Sequence, residues 1–145
     1  MRKLYFIFIV LITTLFTSCN KCDPSNSSSG LIVEDAIIRV IGNSHTGGVF
    51  ISDATEYSSP IEMSLDGGVS YTNVDYSKYS VFSLITTSSC SSGYNRSVVL
   101  DAINETVNYT IEITECSTCT NLTTIGNWVL TSKVPSNYAP VFSVK

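Results

Sequence analysis

The stretch Val107-Asn108-Tyr109-Thr110-Ile111-Glu112-Ile113-Thr114 alternates apolar and polar residues without a break. A period of two puts Val107, Tyr109, Ile111 and Ile113 on one face of an extended strand and leaves the polar residues on the other. Ile61-Glu62-Met63-Ser64-Leu65 repeats the pattern, with Ile61, Met63 and Leu65 turned inward. No window carries a convincing helical period, so a helical architecture is excluded. Shorter strand signals lie at 31–33, 36–41, 49–51, 69–74, 97–103, 128–133 and 141–144. Residues 79–87 carry apolar side chains on both faces, which predicts a central strand covered on both sides. Asp66-Gly67 predicts a tight type I′ hairpin joining 61–65 to 69–74, because both central positions of that turn need positive φ. Short strands with turn signals about every ten residues predict an all-β fold. The expected architecture is an antiparallel Ig-like β-sandwich of about 7–9 short strands, with a small β-barrel as the alternative. Abundant Ser, Thr and Asn and a charged fraction of 14% suit such an exported β domain.

Gly68-Val69-Ser70-Tyr71-Thr72-Asn73-Val74 followed by Tyr79-Ser80-Val81-Phe82 is similar to uncharacterised β-sandwich modules common in bacterial lipoproteins. That resemblance covers only these two segments. It implies a fold and carries no activity.

The chain opens with Arg2 and Lys3, then an uncharged run from Leu4 to Phe16, then Thr17, Ser18 and Cys19. These are the parts of an export signal. As a helix the apolar run reaches roughly 20 Å, short of a hydrocarbon core of about 30 Å, so a spanning helix is the weaker reading. Leu15-Phe16-Thr17-Ser18-Cys19 resembles the lipobox of bacterial lipoproteins. The resemblance implies cleavage by signal peptidase II between Ser18 and Cys19, with acyl chains such as palmitate on Cys19. Two or more chains hold a protein at a membrane surface without spanning it. The expected organisation is a signal peptide at 1–18, a lipidated N-terminus and flexible Ser/Asn/Gly-rich tether at 19–30, and one β domain at 31–145. The expected location is the bacterial cell envelope, lipid-anchored to a membrane: the outer membrane, facing the periplasm or the cell surface.

Removing Arg2 and Lys3 leaves six cations against twelve acids, a formal charge of −6 on the remaining chain. No basic block exists to neutralise phosphates, so nucleic acid is not an expected partner. The membrane is met through the N-terminal lipid, and a protein or glycan partner is left open.

Four cysteines remain beside Cys19: Cys22, Cys90, Cys116 and Cys119. In an exported chain they suggest two disulfides. If the strands form a meander, Cys90 and Cys116 finish at one end of the fold. A bond from Cys90 to Cys116 or Cys119 is then expected, with Cys22 taking the leftover partner. Cys116-Ser117-Thr118-Cys119 also has the spacing of a redox pair, but that chemistry needs a helix N-terminus to lower a thiol pKa, and a strand leads into it here. A zinc site would need Cys22 and Cys90 as two separate single ligands. Neither a metal nor any other cofactor is expected.

His45, the one histidine, sits in the loop-like Gly42-Asn43-Ser44-His45-Thr46-Gly47-Gly48 and is expected to be exposed. No nucleophile elbow accompanies it, and the acids lack calcium-loop spacing. No catalytic residue is nominated. Tyr57, Tyr71, Tyr76 and Tyr79 fall close together and are candidate ligand-stacking side chains, against the alternative of cross-strand packing. Trp128 is expected in the core. Asn26, Asn95, Asn104, Asn108 and Asn121 each begin an Asn-x-Ser/Thr sequon, which chance explains in so Ser/Thr/Asn-rich a chain. The expected role is a non-catalytic binding or structural surface module. A carbohydrate-binding module using the tyrosines, and a Cys-x-x-Cys redox or metal protein, are the alternatives.

Overall fold

The structure is a computed structural model that describes residues 24–42, 45–89, 92–115 and 121–145. Among these residues it contains strands and turns and no helix. The strands are β1 (Ser27–Gly30), β2 (Ile37–Val40), β3 (Gly48–Ile51), β4 (Ile61–Ser64), β5 (Thr72–Asn73), β6 (Tyr79–Ser89), β7 (Ser92–Asp101), β8 (Thr106–Glu115), β9 (Leu122–Ser132) and β10 (Ala139–Val144). They form three sheets, ordered β1-β7-β8-β10, β3-β6-β9 and β2-β4-β5.

The sheet β3-β6-β9 is the middle layer. Alternation along β6 sends Phe82 and Leu84 to one side and Val81 to the other. On the first side they meet Tyr94 and Val98 of β7, Val107, Tyr109 and Ile111 of β8, and Val129 of β9. On the second side Val81 meets Ile51, Ile61, Met63, Val74 and Leu130. The expected central strand is therefore present, with a core on each face. Fully burying one such side chain contributes about 1.5–3 kcal/mol. The alternation of 107–114 is realised in β8, where Val107, Tyr109 and Ile111 are fully buried. The chain crosses from the middle sheet to its neighbour between β6 and β7, and returns between β8 and β9. No sheet closes on itself, so the fold is layered and the barrel alternative is overturned.

The pairing is not purely antiparallel. β1 runs parallel to β7 and β10 runs parallel to β8, each at an edge of its sheet. β1 lies within residues 19–30, the stretch expected as a tether. All four of its residues are exposed, so it carries no apolar periodicity to read. It is held by its backbone ladder to Asn95–Val98 and by its side chains. Ser27 Oγ donates to Asn95 Oδ1 at 2.8 Å, and the Tyr94 N–H donates to Asn26 Oδ1 at 3.0 Å. Gly30 then turns the chain with φ +75°. Leu31 N–H still donates to Val98 O, but Val33 N–H reaches Leu130 O of β9 at 2.9 Å. A Cβ at Gly30 would collide with the Val98 carbonyl, so this switch between sheets requires glycine.

The Asp66-Gly67 hairpin also differs from expectation. β4 and β5 do pair antiparallel, Glu62 with Asn73 and Met63 with Thr72, but residues 65–71 form a wider loop between them. The Asp66 carboxylate collects the Ser64 hydroxyl (2.5 Å), the Val69 and Ser70 N–H groups (3.1 and 3.0 Å) and the Ser70 hydroxyl. These bonds, with positive φ at Gly67 and Gly68, hold the loop open. Leu65 falls outside the strand and is 51% exposed. β7 and β9 begin earlier than expected, at Ser92 and Leu122. Their first halves put Arg96 and Asn127 on the core side, which breaks the apolar alternation.

Candidate functional site

Tyr57 and Tyr76 are the two tyrosines that the fold brings to one cleft. The cleft has a volume of about 320 Å³ and is lined also by Ser58, Ser59, Pro60 and Asn73. One wall is the loop after β3, which its own acids fold. Glu56 Oε2 accepts from the N–H groups of Ser52 (2.5 Å) and Asp53 (3.1 Å). Asp53 Oδ1 accepts from the Thr55 N–H at 2.9 Å and the Thr55 hydroxyl at 2.7 Å. Lys133 Nζ donates to Ser52 O at 2.6 Å and ties the loop to the chain beyond β9. The other wall is the turn before β6. There Asp75 accepts from the Ser77 N–H and hydroxyl and pairs with Lys78 at 3.1 Å.

The Tyr76 phenol is held above its usual pKa, first by burial and then by the nearby Glu56 and Asp53 charges. It stays a neutral hydroxyl able to donate and accept. The cleft thus offers aromatic faces, hydroxyls and an amide. That mixture suits a polar, uncharged ligand with an apolar side.

The other two candidate tyrosines stand elsewhere. Tyr71 lies under the Arg39 guanidinium, 4.0 Å from its centroid, and Arg39 is in turn paired with Glu62. Tyr79 packs with Tyr57 and Tyr76 against the second core, but it does not line the cleft. All four are half-buried, so they do not form one exposed platform.

His45 is half-buried and not the exposed loop residue expected. Its ring meets Trp128 edge-on at 4.9 Å and Tyr57 at 6.4 Å. Burial holds its pKa below the usual histidine value, and its buried Nε2 has no hydrogen-bond partner among the described residues. Trp128 is half-buried, not fully in the core. The indole lies over Gly126, where any Cβ would crowd its Nε1.

A polar feature inside the first core was not legible beforehand. Arg96 takes an inward position on β7 between Tyr94 and Val98. Its Nε and Nη2 donate to Asn127 Oδ1 at 3.1 and 2.9 Å. Asn127, 1% exposed, spends its own N–H groups on Leu84 O (3.2 Å) and Thr86 Oγ1 (2.8 Å). Tyr109 OH donates to Asn127 O at 2.8 Å, and burial raises its pKa far above the usual phenol value. The only advance signal was a cation at an alternating core position.

Ser18, Cys19, Cys22, Cys90, Cys116 and Cys119 lie outside the described residues. Among the described residues no group of three His, Cys, Asp or Glu side chains is placed to hold a metal ion. Comparison with protein-family models, with curated proteins and with solved structures found no match.

Proposed function

We propose that this chain is a non-catalytic recognition module of the bacterial cell envelope, held at the outer membrane by acyl chains on Cys19 after cleavage behind Ser18. The observation that carries the recognition part is the Tyr57–Tyr76 cleft, an aromatic and hydroxyl-lined space between two acid-braced turns. Its chemistry favours a glycan over a protein strand, because the rings can stack on a sugar face while Asn73, Ser58 and Ser59 meet its hydroxyls. The acids around it are taken up in bracing the two turns. Asp53 and Asp75 have pKa values pulled down by bonds to their own turns, so neither is poised to donate a proton near neutrality. We also read β6 with β9, facing β7 with β8, as an Ig-like sandwich. The two crossings between these sheets support that reading.

Two measurements test the proposal. The intact mass of membrane-extracted protein should correspond to a chain beginning at Cys19 with acyl chains attached; a water-soluble, unacylated product would remove the anchor. Glycan-array binding by the mature chain should be lost on Tyr76→Ala and retained on Tyr79→Phe. Hydrolysis of array ligands by the purified protein would contradict the non-catalytic reading. An experimental structure with β6 and β7 in one sheet would end the Ig-like one.

A further inference from the structure

Away from the tyrosine cleft, a second cleft of about 360 Å³ opens where β1 leaves the edge of β7. Asn26, Ser28, Arg96 and Trp128 line it, together with the exposed carboxylates Glu34 and Asp35. Arg96 is the unusual member. It is a half-buried cation on the core face of a strand, and no carboxylate among the described residues pairs with it. The ion pairs found are Arg39–Glu62 and Lys78–Asp75. Its anchor is a neutral oxygen. Because the Asn127 amide nitrogen is committed to Leu84 O and Thr86 Oγ1, the amide cannot turn, and Oδ1 stays aimed at the guanidinium.

That arrangement orients the guanidinium without neutralising it. Nε and one hydrogen of Nη2 serve Asn127 Oδ1. The Nη1 hydrogens and the remaining Nη2 hydrogen have no partner among the described residues. These are the hydrogens that form a two-pronged grip on a carboxylate. The half-buried guanidinium also lies over the Tyr94 ring at 5.4 Å, and with neutral partners on both sides an anionic ligand supplies the charge that would compensate it.

We propose that this cleft is a carboxylate-binding site, in which Arg96 holds the ligand carboxylate. Glu34 and Asp35 restrict the ligand further. They repel a bare or multiply charged anion, and they accept hydrogen bonds from hydroxyl or ammonium groups. The ligand therefore carries one carboxylate beside hydrogen-bond donors. An acidic sugar and an amino acid both have that chemistry.

The single tryptophan of the chain lines this cleft, so its fluorescence follows the titration, and because its ring also meets Tyr57 at 5.8 Å the Arg96 and Ser28 variants assign the signal to this cleft. The mature chain is titrated with D-glucuronate, with L-alanine and with D-glucose. Saturable change with either acid, absent with glucose, is the expected result, and the acid that acts identifies the source. Arg96→Gln should weaken that response about tenfold or more, the loss of one charge-assisted bond. Because Arg96→Gln also touches the core, Ser28→Asp serves as a second variant. It adds a repelling charge at an exposed position and should weaken binding in a protein of unchanged melting temperature. An equal response to glucose, no response to either acid, or full binding by Ser28→Asp would each overturn the site.

Discussion

Replacing Asn127 by leucine is the sharpest test of how the first core is held together. Leucine keeps the approximate volume, so the effect isolates the amide. The substitution removes the oxygen that receives Arg96 Nε and Nη2, and the nitrogen that serves Leu84 O and Thr86 Oγ1. Bonds to a cation contribute about 1.5–3 kcal/mol and neutral ones about 0.5–1.5 kcal/mol each. Arg96 is only half-buried and turns partly to water, which places its share at the lower end. The expected loss is about 3 kcal/mol. For a domain of this size that lowers the melting temperature by about 10 °C. The assay is urea unfolding, with an unchanged denaturant slope showing that stability alone has moved. Combining Asn127→Leu with Arg96→Gln should recover a coupling of about 1–2 kcal/mol. Thr87→Ala, which breaks an exposed hydroxyl pair with Thr124, should stay within about 0.5 kcal/mol. A loss below about 0.5 kcal/mol for Asn127→Leu, or strict additivity with Arg96→Gln, would refute the network as a structural unit.

Other consequences are as concrete. Gly30→Ala should destabilise by about 1–3 kcal/mol, from positive φ and the Val98 carbonyl, whereas Gly67→Ala meets no atom and should cost less, measured by the same unfolding. Asp53, Asp66, Asp75 and Asp101 all have folded pKa values below their ordinary 3.8, held down by hydrogen bonds in their own turns. Such groups stabilise the fold fully above the unfolded value and lose that contribution as pH falls through the folded one, so urea midpoints should drop below about pH 4. Asp66→Asn should flatten part of that drop, and an unaltered profile would contradict the role given to its carboxylate. Ser89 N–H reaches Glu115 Oε1 at 3.0 Å, and a Cβ on Gly93 would run into the Pro24–Ser25 backbone. The chain neighbours of Cys22, Cys90 and Cys116 thus converge at one end of the sandwich. Alkylation without reductant should label none of Cys22, Cys90, Cys116 and Cys119, and labelling of all four would dismiss the disulfides.

What could be read from the amino-acid order was whatever repeats locally. The period-two runs of β4 and β8 declared an all-β chain, because a side chain facing a core must recur at every second residue. The double-sided apolar content of β6 declared a middle strand for the same reason. Which strands pair, and in which direction, is a long-range choice with no local mark. β1 has four exposed small residues and exists only because the edge of β7 offers unpaired backbone groups. The early tyrosine cluster was visible as spacing, yet only the turns at Asp53 and Asp75 decided that Tyr57 and Tyr76 share a cleft while Tyr71 lies beneath Arg39. Arg96 and Asn127 lie thirty-one positions apart and met only when two sheets closed on each other. A polar residue on a strand shows in the sequence as an interruption; whether it is a flaw or a site depends on what the opposite sheet sets against it.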